Sequence, residues 1–194
     1  MAVLLVHGIW NSGQQFARLQ HELERSGTGP VRCVDLVPNT GKARLSELAL
    51  QVGKAARDLR EHSGSERVDV VGFSMGSLVA RYWIQRQEGR KLVRRFVSIA
   101  GPQRGTFTAY GSSLAGIRDM RPRSSLLKEL ADHGDVWREV ELHCLWTPFD
   151  LMILPGGSGV LPGASSVQRF PVLLHRQMIR DRRVIAAVVG ILTA

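Results

Sequence analysis

Cysteine is rare in this sequence, and no apolar run is long enough to cross a membrane. The 194 residues include two cysteines, Cys33 and Cys144. Two cysteines make no disulfide framework, and these two lack the clustering of a zinc site, so we interpret both as buried core thiols. The strongly apolar stretch 184–192 has nine residues, whereas a spanning helix needs about 20. We therefore expect no membrane-spanning segment.

The start of the sequence also lacks the features of a secretory signal. Residues 1–8 read Met-Ala-Val-Leu-Leu-Val-His-Gly, with no basic segment ahead of the apolar residues. The apolar residues lead directly into a motif of functional type. We therefore expect a cytoplasmic protein, or a secreted one if this sequence is trimmed from a longer precursor.

Acidic residues are too few to balance the basic ones. The sequence has 17 Asp and Glu against 26 Lys and Arg, which gives a net charge of +9. Such an excess suits nucleic acid, an anionic membrane or an acidic substrate as partner. The sequence has no Walker-type phosphate loop, no zinc-finger spacing and no RNA-binding aromatic motif, so we do not expect a nucleic-acid partner.

The basic residues include two groups of arginines near each other in sequence. The groups are Arg118, Arg121 and Arg123, and Arg176, Arg180, Arg182 and Arg183. Runs of this kind are usually solvated faces. If both groups flank the mouth of a site, they would attract an anionic membrane surface or an acidic substrate, which we keep as a hypothesis.

The abundant residues indicate one globular α/β domain. The sequence is 44% apolar and 22% charged, which is an ordinary globular balance in a chain of single-domain length. Short Val, Leu and Ile runs alternate with helical patterns, and this alternation predicts a six-stranded, mostly parallel sheet. The runs are residues 3–6, 31–36, 67–73, 92–100, 140–146 and 166–170. Because they are apolar at successive positions, we expect helices on both faces of the sheet.

Apolar residues at helical spacing mark the helices around this sheet. Ser12 and Gln15 form the pattern of a capping box, from which the first helix is predicted to run to about Arg25. The other predicted helices are residues 45–59, the segment directly after Ser74, residues 124–132 inside the long irregular stretch 101–138, and residues 175–192.

The pentapeptide Gly72-Phe73-Ser74-Met75-Gly76 has the form G-x-S-x-G. It follows a predicted strand and opens a predicted helix, and this context gives the pattern its meaning. A serine at such a tight turn occupies a strained backbone conformation and exposes its hydroxyl, while the glycines leave room for close packing. We predict that Ser74 is a nucleophile. The alternative is a chance match in a chain with 20 glycines.

A serine hydroxyl needs a base to take its proton, usually a histidine held by a carboxylate. Of the six histidines, His175 follows the last predicted strand, which is the position of the base in the order serine, acid, histidine. Asp150 directly follows the penultimate strand and is the candidate acid. The alternatives are a capping or surface role for His175 and an ordinary turn role for Asp150.

Acyl transfer also needs backbone donors for the oxyanion of the tetrahedral intermediate. The N–H of Met75, next to the nucleophile, is the first candidate. The N–H of Ile9, in the turn after the first strand, is the second, and Gly8 permits that turn. Trp10 either lines an acyl pocket or closes the edge of the core.

Together these motifs resemble those of the bacterial lipase and esterase group of α/β-hydrolases. The similar segments are residues 4–9, 70–81 and 98–106, with Asp150 and His175 downstream. In length and layout the sequence is most similar to the minimal, lidless small lipases called lipase A. The resemblance implies a minimal α/β-hydrolase fold, hydrolysis of carboxylic esters through an acyl-enzyme, and neither a metal nor an organic cofactor.

The sequence departs from that group in two places. Phe73 stands where many relatives have histidine, which would alter a wall of the substrate pocket without removing the chemistry. Residues 101–138 are more than a lidless lipase needs. Residues 105–123 therefore leave room for a small lid or acyl-binding flap within the single domain 1–194.

The first hypothesis is a monomeric serine esterase or lipase that acts on small-molecule or lipid esters. Thioesterases, phospholipases, amidases and acyltransferases use the same machinery, because the pocket and not the fold selects the substrate. A hypothesis of another class is a basic protein that binds an anionic membrane surface on a hydrolase scaffold, with the triad idle.

Overall fold

The computed structural model describes residues 1–131 and 134–194, and within them six strands form one sheet. The strands are β1 (Ala2–Val6), β2 (Val31–Val34), β3 (Val68–Phe73), β4 (Val93–Ile99), β5 (Glu141–Trp146) and β6 (Ser166–Arg169). Their order is β2-β1-β3-β4-β5-β6, and all neighbours run parallel. The predicted sheet is therefore confirmed, and every strand matches its predicted run to within two residues. Because the strands are parallel, the loops after them start at one common edge.

Helices cover both faces of the sheet, as predicted. They are α1 (Ala17–Arg25), α2 (Leu45–Ser63), α3 (Met75–Arg86), α4 (Gly89–Leu92), α5 (Ala115–Asp119), α6 (Ser125–Ala131) and α7 (Arg182–Thr193). On one face, α2, α3 and α6 share a core with Leu4 and Val70; on the other, α1 and α7 share a core with Leu5 and Val71. Neighbouring residues of a strand thus enter opposite cores, which explains why the strands are apolar at every position.

Two predicted helix boundaries are wrong. The side chain of Ser12 makes no capping hydrogen bond; residues Gly13–Phe16 form a 3₁₀ turn and α1 begins at Ala17. The last predicted helix is interrupted as well. His175–Ile179 is a 3₁₀ turn, and α7 begins only after Asp181, which accepts a hydrogen bond from Arg183 N at 2.8 Å. Asp181 is an N-cap that the apolar periodicity alone does not reveal.

The stretch 101–138 is also more ordered than predicted. Besides α6, it contains α5 and the 3₁₀ turns Phe107–Gly111 and Gly134–Arg138. The buried carboxylate of Asp119 ties this segment to α2, because it accepts from Leu45 N at 3.0 Å and from Arg44 Nη1 at 2.8 Å. Asp132, the last residue of the helix predicted here, lies outside the described residues.

The expectations of no membrane-spanning segment and of two buried cysteines concern the described residues of this fold. No helix of the described residues is long and apolar enough to cross a membrane. Cys144 is buried as predicted, but Cys33 is only half-buried. Burial nevertheless raises the pKa of the Cys33 thiol to about 11, with the nearby carboxylates of Asp35 and Glu24 adding to the effect. Burial also raises the pKa of the Cys144 thiol. Both thiols are therefore protonated at neutral pH, and neither has the character of a reactive cysteine.

Candidate active site

Ser74 occupies the sharp turn between β3 and α3. Its φ is 56° and its ψ is −128°, a conformation that L-residues rarely adopt. The turn is held by Ser74 N, which donates to Ile99 O at 3.0 Å, and by Ser77 N, which donates to Ser74 O at 3.0 Å. A strained, over-determined backbone of this kind is typical of functional sites.

The two glycines of the motif make this turn sterically feasible. A Cβ on Gly72 would lie 2.6 Å from the Cα of Ser77, and one on Gly76 would lie 2.3 Å from the carbonyl oxygens of Val6 and His7. Any larger residue would push the backbone of α3 away from β3 or from the end of β1. The steric reason expected for the G-x-S-x-G spacing is therefore present in the structure.

Asp150 and His175 meet in the loops after β5 and β6. His175 Nδ1 lies 2.7 Å from Asp150 Oδ2, and both side chains are largely buried. The other oxygen of Asp150 accepts from the backbone N–H groups of Met152 and Ile153, each at 2.9 Å. The carboxylate is thus fixed by three hydrogen bonds. When Nδ1–H donates to Asp150, Nε2 of the neutral ring is left as an acceptor.

A buried threonine links the two loops that carry this pair, and sequence reasoning missed it. Thr147 Oγ1 donates to the carbonyl oxygen of Val172 at 2.6 Å. It thereby joins the segment just before Asp150 to the segment just before His175. A threonine directly after a buried strand is too common for its partner to be predicted from sequence.

Phe73 and Gly8 bring Ser74 close to this pair. The ring of Phe73 packs on the imidazole of His175 with 4.8 Å between centroids. A Cβ on Gly8 would lie 3.0 Å from the Cβ of Ser74, so the turn after β1 touches the serine directly. The hydroxyl of Ser74 makes no hydrogen bond to any described residue. Contacts between nucleophile and base are often loose without substrate and tighten in the Michaelis complex.

The two amides predicted to hold an oxyanion are both free of protein acceptors. Neither Ile9 N nor Met75 N donates a hydrogen bond to a described residue. Met75 is the first residue of α3, where the helix dipole also favours negative charge. The two N–H groups flank Ser74, one on the loop after β1 and one on α3.

The remaining described histidines have other roles. His7 is fully buried; its Nδ1 lies 2.7 Å from Gly8 O, and its Nε2 accepts from Leu36 N at 2.9 Å. His143 lies in β5 with Nδ1 2.8 Å from Ser166 Oγ, and burial lowers the pKa of its imidazole. His21 and His62 lie on α1 and α2, and His133 lies outside the described residues. Of the described histidines, His175 is therefore the one that contacts a buried carboxylate at the sheet edge where Ser74 lies.

Trp10 is 57% exposed, so it does not close the edge of the core. It belongs to a ring of exposed apolar side chains in the loops that follow the strands, which we call the apolar rim. The rim consists of Trp10, Val37, Phe107, Tyr110, Phe149, Leu151, Met152, Leu154, Leu173 and Leu174. Elsewhere, Met1, Leu50 and Val167 are the exposed large apolar residues of the described chain. Apolar exposure is therefore concentrated at the edge that carries Ser74, Asp150 and His175.

Residues 2–143 match a model of a known protein family. This segment matches the model described as palmitoyl protein thioesterase, and it contains Ser74 and both candidate oxyanion amides. The chain belongs to the palmitoyl protein thioesterase family. The match ends before Asp150 and His175, so their candidacy rests on their position in the chain and on the geometry described above.

Further similarity is found to lipases. A triacylglycerol lipase of Pseudomonas fragi is 28% identical over 109 residues, which are 54% of this chain and 35% of the lipase. The chain thus spans about a third of the length of that curated relative.

Solved structures of lipases share the fold of this thioesterase-family chain. Aspergillus fumigatus lipase B has a TM-score of 0.83 at 18% identity, covering 100% of this chain and 52% of the lipase. The mature Bacillus licheniformis lipase BlEst2 has a TM-score of 0.80 at 13% identity, covering 98% and 91%. At these identities the likeness shows the fold, which is that of an α/β-hydrolase. The narrower likeness to lipase A stays a prediction.

Proposed function

We propose that the protein hydrolyses carboxylic esters of apolar acyl groups through an acyl-enzyme on Ser74. The main support is the hydrogen-bonded pair of Asp150 and His175 at the sheet edge where Ser74 is held at a positive φ. Nucleophile, orienting acid and base follow one another in the chain order expected for this fold.

The first half of the reaction forms the acyl-enzyme. Ser74 Oγ attacks the acyl carbonyl carbon while His175 Nε2 takes the hydroxyl proton. The carbonyl oxygen becomes an oxyanion and accepts hydrogen bonds from Ile9 N and Met75 N, each worth about 3 kcal/mol. Asp150 stabilises the imidazolium and does not take the proton itself. The bond to the leaving group then breaks, and His175 gives its proton to the leaving oxygen or sulfur.

The second half of the reaction hydrolyses the acyl-enzyme and regenerates the free enzyme. Water enters, His175 takes one of its protons, and the hydroxide attacks the acyl carbon. The carboxylic acid leaves, and Ser74 Oγ recovers its proton from His175. Every group needed belongs to this chain, and the water oxygen ends in the carboxylic acid.

The apolar rim supports an apolar acyl group. Covering apolar side chains with an acyl chain stabilises the complex by about 0.8 kcal/mol for each buried CH₂. Phe73, which is 3% exposed and packs on His175, would contact the acyl group close to the reacting carbon. Membership of the palmitoyl protein thioesterase family favours thioesters as a second substrate class, because the same steps release a thiol in place of an alcohol.

The test is hydrolysis of p-nitrophenyl butyrate and of a butyryl thioester by the unmodified protein, by Ser74→Ala and by Ser165→Ala. Ser165 is an exposed serine before β6 and is the matched control. We expect Ser74→Ala to lose activity by several orders of magnitude and Ser165→Ala to keep it. Equal rates for Ser74→Ala and the unmodified protein would contradict the proposal and favour a binding protein on a hydrolase scaffold.

A further inference from the structure

A polar pocket adjoins the candidate active site on the side of His175. Its volume is about 380 Å³, within the usual range of small-molecule sites. Trp10 and Arg176, two of its lining residues, are the chain neighbours of Ile9 and His175. The pocket therefore lies beside Ile9, whose N–H is a candidate oxyanion donor, and beside the base. Apart from Trp10 and Ile179, its lining side chains are polar.

The charge of this pocket is positive. Arg176 and Arg180 line it, and no carboxylate side chain is among its lining residues. Many arginines of this protein pair with a carboxylate, as Arg183 does with Asp181 at 2.8 Å. By contrast, no described carboxylate lies within 4.0 Å of Arg176 or Arg180. Arg18 adds a third guanidinium nearby, because its Nη1 donates to the carbonyl oxygen of Arg180 at 3.2 Å.

A buried amide in the same wall is unsatisfied. Both Nε2 and Oε1 of Gln15 are buried, and neither has a hydrogen-bond partner among the described residues. Leaving a buried polar group unpaired destabilises the fold, so such groups are rare in proteins without a reason. Both amide atoms are closed to solvent, so a ligand reaches them only when the side chain turns toward the pocket. An anionic oxygen and a hydroxyl group would then satisfy the amide donor and the amide acceptor together.

The position of the pocket determines which part of a substrate it would hold. In the proposed reaction His175 gives its proton to the leaving atom, so the leaving group would depart on the His175 side of the reacting carbon, where this pocket opens. The acyl chain needs an apolar surface and has the rim for it. The polar pocket therefore faces the leaving group.

We propose that this pocket binds a phosphate group on the leaving alcohol, so that the preferred substrates are acyl esters of a phosphate-bearing alcohol such as glycerol 3-phosphate. Two guanidinium groups offer planar pairs of N–H donors, which match phosphate oxygens. The glycerol hydroxyl supplies the neutral partner for the Gln15 amide. This inference rests on the proposed function, because it names the alcohol that the reaction releases.

The test measures binding of the leaving group itself, which contains no ester and needs no catalysis. Glycerol 3-phosphate and glycerol are titrated calorimetrically into the unmodified protein, into Arg176→Gln/Arg180→Gln and into Arg182→Gln. Arg182 is an exposed arginine that does not line this pocket, and its replacement is the control for losing a positive charge elsewhere on the surface. We expect glycerol 3-phosphate to bind at least about tenfold more tightly than glycerol, since one hydrogen bond to a charged group is worth about that factor.

The variants test whether glycerol 3-phosphate binds in this pocket. The double variant should lose most of the preference for glycerol 3-phosphate, and Arg182→Gln should keep it. Gln15→Leu should weaken binding of glycerol 3-phosphate without lowering the melting temperature, because the amide has no protein partner to lose. Equal affinity for glycerol and glycerol 3-phosphate, or equal losses in the double variant and in Arg182→Gln, would overturn the inference. Binding without ester hydrolysis would overturn only the proposed function.

Discussion

His175 Nδ1 lies 2.7 Å from Asp150 Oδ2, although the two residues are 25 positions apart in sequence. The contact depends on the loops after β5 and β6, which Thr147 and Val172 join by a further hydrogen bond at 2.6 Å. The imidazole is thus fixed at the edge where β3 presents Ser74. Activation of Ser74 in the proposed reaction depends on this pair more than on any other contact.

Replacing Asp150 by asparagine should change the tautomer of the His175 ring without disturbing the fold of the loop. The amide oxygen can still accept from Met152 N and Ile153 N, so the loop should keep its shape. The amide nitrogen would face His175 Nδ1, force it to accept, and place the ring proton on Nε2, where it blocks the base. We expect kcat to fall by about 10⁴-fold with little change in melting temperature. Asp135→Asn, at an 84% exposed side chain before β5, is the control and should keep full activity.

The glycine after the nucleophile should be irreplaceable for steric reasons. In Gly76→Ala the new Cβ would lie 2.3 Å from two backbone carbonyl oxygens, which cannot rotate away. We expect a loss of about 3 kcal/mol or more in the free energy of unfolding, measured by urea titration. Gly190→Ala is the matched control, because it lies in α7 with no atom within 4 Å of the new Cβ. It should stabilise by about 0.5–1 kcal/mol; similar losses in both variants would contradict the packing argument.

The N-cap of α7 should make stability depend on pH. The side-chain hydrogen bond from Arg183 lowers the pKa of Asp181 from 3.8 to about 2. Since the folded pKa is the lower one, the stabilisation is present above the unfolded value and is lost as pH falls through the folded value. Asp181→Asn keeps a cap but loses the charge, so it should be less stable by about 1 kcal/mol at pH 6, after allowance for the exposed guanidinium. In urea titrations this difference should shrink as pH falls from about 4 to about 2 and vanish below that; a constant difference would exclude the charge as its cause.

Contact with an anionic membrane surface is a further prediction from the apolar rim and the net charge of +9. Binding to phosphatidylglycerol vesicles should exceed binding to phosphatidylcholine vesicles and should weaken with salt. Leu173→Gln/Leu174→Gln should reduce sedimentation with vesicles, whereas Leu50→Gln, an exposed leucine on α2, should not. Binding that ignores salt and lipid charge would exclude this surface interaction.

Much of this arrangement could be predicted from local sequence. The strands are apolar at every position because both sheet faces are covered, and the G-x-S-x-G pattern places Ser74 between a strand and a helix. Chain order then selected Asp150 and His175, which the structure brings together. These signals are contained in short segments, so they can be read without tertiary contacts.

Contacts between distant residues could not be predicted in this way. Asp119 accepts from the first N–H of α2 although it lies 74 residues away. Ser12 lies just before the first helical turn and has the capping-box pattern, yet its side chain makes no capping hydrogen bond. The break before α7 comes from Asp181, and the pocket beside His175 joins residues of two separate loops. The contact of Asp119 and the pocket depend on tertiary packing, which local periodicity does not contain. Asp181 instead caps α7 through Arg183 N two residues away, a local signal that apolar periodicity does not include.

The central claim is that Ser74 is the activated nucleophile, and covalent capture by a fluorophosphonate tests it most directly. The probe needs only an activated serine and an oxyanion site, and it does not depend on the identity of the natural substrate. We expect one adduct per chain, located at Ser74 by mass spectrometry, absent in Ser74→Ala and formed orders of magnitude more slowly in His175→Ala. A folded protein that forms no adduct, or that forms it at another residue, would contradict the account.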